Sequence, residues 1–157
     1  MSKKRWALPC WFFFHGIAEK ISKSFYEENY KGVYDLIVTI SRNLPCPYCR
    51  EHATRYLSGK NVESVKTKKE LKKFLFDFHN AVNKRIGHHV FNEDVLLKYK
   101  SLDIEKAYIW FNQKFYGAYV VNHDFNGWRR NLVQEKVKDY LRDNWGKMFR
   151  QEDCDKE

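Results

Sequence analysis

Apolar residues return every three or four positions along most of this chain, the spacing of helices with one buried face. Trp11, Phe14, His15, Ala18, Ile21, Ser22 and Phe25 form the first stripe, and Trp11 and His15, one turn apart, share a face. Val33, Leu36, Ile37, Ile40 and Leu44 form the second. The run from Leu36 to Ile40 alone would pass for a strand, but its flanks keep the helical period until Pro45 ends it. Pro47 then suits a first helical turn, Ala53, Tyr56 and Leu57 supply a third stripe, and Gly59 closes it.

Thr67-Lys68-Lys69-Glu70 has the form of a capping box. It opens the longest periodic segment, Leu71, Phe74, Leu75, Phe78, Val82 and Ile86, closed by Gly87, with His79, Asn80 and Asn83 along a polar edge. A fifth segment starts near Asn92. Ile104, Ala107, Tyr108, Phe111 and Phe115 predict another helix, Gly117 to Gly127 a connector, and Trp128, Leu132, Val133, Val137, Leu141 and Trp145 a last helix. No strand pattern alternates with these helices, and no repeat interrupts them. The chain reads as all-α, a bundle with additional C-terminal helices.

Composition narrows the picture. A chain of 157 residues, 43% apolar and 17% aromatic, can bury a core as one domain, which leaves disorder to the ends. The net charge of +9 is spread along helical faces, with no dense basic tract bearing interleaved aromatics, so nucleic acid is not an expected partner. No apolar run approaches the roughly 20 residues that span a membrane. Lys3, Lys4 and Arg5 do precede an apolar segment from Trp6 to Phe14, but His15, Gly16, Glu19 and Lys20 interrupt what a signal peptide would require. The expectation is a soluble protein kept where it is made, and cysteines there serve redox or metal chemistry before structural disulfides.

Two of the four cysteines stand in Cys46-Pro47-Tyr48-Cys49. A zinc site needs four ligands, and His52, His79, His88, His89, His123, Cys10 and Cys154 are scattered, so no metal is expected. A glutaredoxin carries this motif after a strand, with a later proline facing the sulfurs; here helices flank it and no proline follows Pro47. A dithiol serving a bound redox cofactor is the third possibility, since a helix N-terminus favours a thiolate and Arg50 adds a cation. A structural disulfide in a helical interaction module is the non-enzymatic alternative. Cys10 and Cys154 are single, so neither forms a Cys-x-x-Cys shuttle, and Cys154, in an acidic tail, suits an idle or intermolecular thiol better than a relay within a dimer.

Trp11-x-x-x-His15, Cys46-Pro-Tyr-Cys49 and His79-Asn80-x-Val82-Asn83-Lys84-Arg85 together resemble the Erv/ALR-type FAD-linked sulfhydryl oxidases in order and spacing. The resemblance covers about Trp6 to Lys100 and is nearest to the short single-domain versions of large DNA viruses. It implies a four-helix bundle plus a short fifth helix holding FAD over residues 1–100, with residues 101–157 as a C-terminal helical extension ending in a mobile acidic tail. It implies Cys46 as the interchange sulfur that meets substrate thiols, and Cys49 as the sulfur against the flavin. Trp11, His15, His79, Asn80, Val82, Asn83, Phe91 and Tyr99 would contact the cofactor, with Lys84 or Arg85 on its phosphates. The implied reaction forms disulfides in substrate proteins, with electrons passing from thiols through the pair to FAD and on to oxygen, giving hydrogen peroxide.

The implied partners are thiol-containing proteins or a thioredoxin-like intermediary, molecular oxygen and a second copy of the chain. The implied setting is the cytoplasm of a virus-infected cell or the virion, or the mitochondrial intermembrane space for a cellular protein. The chain also departs from the family. It has no cysteine between Cys49 and Cys154, Leu8 replaces an arginine, leaving Arg5 or Lys4 for a phosphate, and Lys100 beside Tyr99 replaces a tryptophan.

Overall fold

A computed structural model describes residues 4–119 and 127–150. The tail beginning at Gln151, including Cys154, and most of the connector before Gly127 lie outside the described residues. Among the described residues every regular element is helical. The helices are α1 (Lys4–Lys20), α2 (Lys23–Ser41), α3 (Pro47–Ser58), α4 (Lys68–Arg85), α5 (Ile104–Tyr119) and α6 (Gly127–Met148). Short 3-10 segments at Val62–Ser64 and Glu93–Ser101 complete the order. Helices α1 to α4 form the bundle, Glu93–Ser101 is its short fifth element, and α5 and α6 are the C-terminal helices.

The first apolar stripe, expected as one helix from Trp11 to Phe25, is divided at Ser22. Its hydroxyl accepts from the Phe25 N–H at 3.2 Å and caps α2, while its own N–H donates to the Met148 carbonyl at 2.6 Å. A serine with a tertiary acceptor within reach ends one helix and begins the next. The second stripe also stops early. The Asn43 side chain donates to the Thr39 carbonyl at 2.7 Å, α2 ends at Ser41, and Leu44 folds into the core outside any helix.

Other local signals give the elements expected of them. Pro47 stands in the first turn of α3 and Gly59 at its end. Both capping-box bonds form, Glu70 N–H to Thr67 Oγ1 at 3.1 Å and Thr67 N–H to Glu70 Oε2 at 2.9 Å. Gly87 leaves α4 with φ at 74°, a left-handed conformation that side chains disfavour. Helix α5 begins as expected at Ile104 but runs to Tyr119, past Gly117.

One apolar cluster draws on all six helices. Helix α5 lies along α1, where Phe13 stacks on Phe111 with centroids 4.8 Å apart and Trp6 meets Phe115 edge-on at 6.2 Å. Helix α6 runs antiparallel along α2. Arg129 reaches Asn43, Lys136 reaches Thr39 and Asp35, and the Met148 carbonyl meets Ser22. Midway, a β-carbon on Gly32 would stand 3.0 Å from the Tyr140 hydroxyl, so glycine allows that close approach. No described helix is long and apolar enough to cross a membrane.

The Tyr26 hydroxyl, fully buried on α2, donates to the Val65 carbonyl at 2.5 Å and ties α2 to the approach of α4. Tyr26→Phe strands that carbonyl in the core. Denaturant unfolding of the variant is expected to show a loss of about 1–3 kcal/mol with an unchanged m-value.

Candidate active site

Cys46 and Cys49 lie at the start of α3. Cys46 is the N-cap residue, extended at φ −100° and ψ 117°, and its sulfur accepts from the Cys49 N–H at 3.3 Å. Pro47 occupies a position whose N–H would have no helical partner, which leaves the first turn intact. Tyr48 points outward between the cysteines; the Arg85 guanidinium stands 5.7 Å from its ring centre, and His52 meets the ring edge-on at 4.3 Å.

Behind Cys49 opens a cavity of about 600 Å³, a volume usual for a cofactor or ligand. Trp6, Leu8, Cys10, Trp11 and Phe14 of α1 form one wall, Cys49 and Ala53 of α3 another, and Phe78, His79, Val82, Asn83 and Arg85 of α4 a third. Ser41 and Leu44 at the end of α2 contribute too, with Ile86 and His88 beyond α4. Most of the lining surface is apolar; His79, Arg85 and His88 add polar edges, and two polar side chains, Asn83 and Ser41, are buried in it. Asn83 is 6% exposed, and the Ser41 hydroxyl, in a residue 1% exposed, has no hydrogen-bond partner. An unpartnered buried hydroxyl beside flat aromatic walls suits a planar ligand with polar edges.

A column of rings stands along the α1–α4 seam. Trp11 lies parallel over His79 with centroids 4.0 Å apart, His79 Nδ1 shares a hydrogen bond with His15 Nε2 at 3.0 Å, and His15 stacks on Tyr99 at 4.8 Å. Burial pushes the pKa of His15 down to about 3, with His79 and Lys98 adding to the effect, and burial with Lys98 pushes that of His79 down to about 4. Both imidazoles are therefore neutral near pH 7, so one donates and the other accepts within the pair.

The predicted site residues divide into groups. Trp11, Cys49, His79, Val82, Asn83 and Arg85 meet at the cavity. His15 holds His79 from behind and Tyr99 in turn stacks on His15, both buried and neither lining the cavity. Asn80 turns away, its amide nitrogen donating to the Phe91 carbonyl at 2.8 Å and its amide oxygen accepting from the Phe91 N–H at 3.1 Å. Phe91 and Lys84 are exposed outside the lining, and Cys46 sits at the helix cap.

Cys10 is buried in the cavity wall and burial pushes its thiol pKa up, so it is not placed to pair with another chain. Sequence reasoning missed Ser41. Its signal was a hydroxyl four residues after Ile37, where the apolar stripe of α2 should continue. Among the described residues no group of three or more His, Cys, Asp or Glu is arranged to hold a metal ion.

The family model for Erv1/Alr matches residues 9–108, which contain the dithiol, the ring column and every cavity residue except three at the start of α1. The chain belongs to the Erv1/Alr family. It is 37% identical over 70 residues to a putative FAD-linked sulfhydryl oxidase, 347L, of Invertebrate iridescent virus 6, covering 40% of this chain and 61% of that protein. It is 36% identical over 62 residues to the FAD-linked sulfhydryl oxidase of African swine fever virus, covering 40% of this chain and 50% of that one. With the FAD-linked sulfhydryl oxidase ERV1 of Arabidopsis thaliana the identity is 30% over 81 residues, 52% of this chain and 42% of the plant protein. The chain thus spans about half to three-fifths of the viral relatives it matches. No solved structure matches it. Strands flank the motif in a glutaredoxin; here it joins α2 to α3, so membership of this family replaces that alternative.

The histidine pair makes a titration prediction. Each imidazole has a folded pKa below the unfolded value of 6.5, so its contribution to stability is full above that value and is lost as pH falls towards about 4 and then about 3. The ring signals of His15 and His79 in an NMR titration are expected to keep their neutral shifts at about pH 5, where a free imidazole is mostly charged. Protonation of either near the free value would contradict their burial.

Proposed function

We propose that this Erv1/Alr family member is an FAD-dependent thiol oxidase that forms disulfides in substrate proteins. The observation that carries the reading is the polarity of the dithiol. Cys49 stands in the wall of the aromatic cavity, whereas Cys46, at the helix cap, does not line it. The names of the viral and plant relatives support the same chemistry.

In the proposed cycle a substrate thiolate attacks the Cys46 sulfur of the Cys46–Cys49 disulfide, and the Cys49 sulfur leaves as a thiolate. A second substrate thiolate attacks the substrate sulfur of that mixed disulfide, and Cys46 leaves in turn. The substrate gains a disulfide, and its two electrons now reside on the Cys46–Cys49 dithiol. The chemistry that bound FAD supplies is acceptance of those two electrons and their delivery to dioxygen, with hydrogen peroxide as product.

Within this reading Trp11, Phe14, Phe78 and Val82 provide the flat apolar walls that exclude water. Asn83 and the unpartnered Ser41 hydroxyl serve polar edges of the cofactor, and Arg85 at the rim serves its anionic part. Burial and the nearby Lys98 keep His79 neutral, and His15, backed by Tyr99, holds it in register with Trp11. Asn80 fixes the backbone beyond α4 through Phe91. A homodimer acting on thiol proteins or a thioredoxin-like intermediary in infected cytoplasm completes the proposal.

The purified chain is expected to be yellow, to release FAD on denaturation and to consume oxygen with dithiothreitol. Cys46→Ser and Cys49→Ser should each abolish that turnover while FAD stays bound. A colourless protein that FAD cannot reconstitute, or full activity in both variants, would overturn the reading.

A further inference from the structure

We propose that the C-terminal helices strap down the turn bearing Cys46, with Tyr119 and Arg129 as positioning residues. The inference rests on the redox role of the dithiol proposed above, and it concerns residues beyond the matched segment 9–108. Between the end of α2 at Ser41 and the start of α3 at Pro47 no helix supports the backbone. Two of its polar groups are held from outside the bundle. The Asn43 carbonyl accepts the hydroxyl of Tyr119, the last residue of α5, and Asn43 Oδ1 accepts Arg129 Nε, in the first turn of α6, at 3.2 Å. From within the bundle, Arg50 Nη1 donates to the Leu44 carbonyl at 2.9 Å.

The Tyr119 side chain is 3% exposed, and burial pushes its hydroxyl pKa up, so it remains a donor at ordinary pH. The remainder of α6 lies along α2, from Lys136 against Asp35 at 3.0 Å to the Met148 carbonyl on Ser22. The strap is therefore anchored at both ends of α2.

The turn is short, so a hold on Asn43 is felt at Cys46 three residues later. Leu44 stands in the cavity wall, and Cys46 must keep its extended conformation for its sulfur to accept the Cys49 N–H. That bond favours the reduced pair, because a freed sulfur is the better acceptor. Releasing the strap loosens the cap and shifts the pair towards its disulfide. In glutathione buffer the exchange is balanced: the two thiols lose two electrons and two protons as Cys46 and Cys49 join, and one glutathione disulfide becomes two glutathiones.

The test uses the full chain with Tyr119→Phe and Arg129→Met, and Leu141→Ala, buried further along α6, as a control that weakens the strap away from the turn. Each protein is equilibrated in glutathione redox buffers and alkylated, and the state of the Cys46–Cys49 pair is read by peptide mass. Tyr119→Phe is expected to shift the equilibrium up to about fivefold towards the disulfide, the effect of one net hydrogen bond, and Arg129→Met, whose bond is exposed, in the same direction by less. Leu141→Ala should lower the melting temperature by opening a core cavity and leave that equilibrium in place. No shift in the first two variants, or an equal shift in the control, overturns the strap. This readout needs neither FAD nor oxygen, so a wild-type protein without oxidase activity would overturn the function and leave the strap measurable. A wild-type pair that never forms its disulfide would overturn both.

Discussion

The hydrogen bond between His15 and His79 is made in the part-buried seam between α1 and α4, and much of the site depends on it. A buried His15 against a half-buried His79 is tolerable when both are neutral and each satisfies the other. That requirement sets the register of α1 against α4. With the register set, Trp11 lies flat on His79, Tyr99 closes the far side of His15, and Trp11, His79, Val82 and Asn83 face one cavity. A slip of one turn between the two helices would break the pair and leave two polar rings unpartnered in an apolar seam.

The dithiol meets that cavity by a separate route. Pro45 and Pro47 enclose Cys46 in a turn that cannot continue α2, and Pro47 starts α3 at the one place where its missing N–H is harmless. The two sulfurs then differ in surroundings although they are three residues apart. Cys49 lies one turn into the helix and faces inward, whereas Cys46 stays at the cap. The difference in surroundings follows from the short helical rise between the two residues. The C-terminal helices close over the back of this turn, so a segment outside the matched family region bears on its chemistry.

Much of the fold was legible because its signals are local. The capping box at Thr67 and Glu70, the glycines after α3 and α4, and the apolar stripes all report contacts within about a turn of their own position. The breaks that were misplaced combine a local side-chain cap with a distant partner that secures it. Ser22 lies in a faultless helical stripe, yet its hydroxyl caps α2 and the Met148 carbonyl near the other end of the chain takes its N–H. Leu44 continues the period of α2, yet Asn43 has already ended that helix with its side chain, and α5 and α6 hold it there.

The same division holds at the site. The sequence by itself determined an all-α chain, a dithiol at a helix start, and a face of α4 on which His79 and Asn83 lie together, since spacing decides which residues share a face. Spacing does not decide what that face meets. Only the tertiary structure showed that Asn80 spends both ends of its amide on the Phe91 backbone, that Tyr99 supports His15 from behind, and that Cys10 and Ser41 join the cavity wall. Each of these depends on a partner at least 11 residues away or on another helix, and helical periodicity holds no record of such partners.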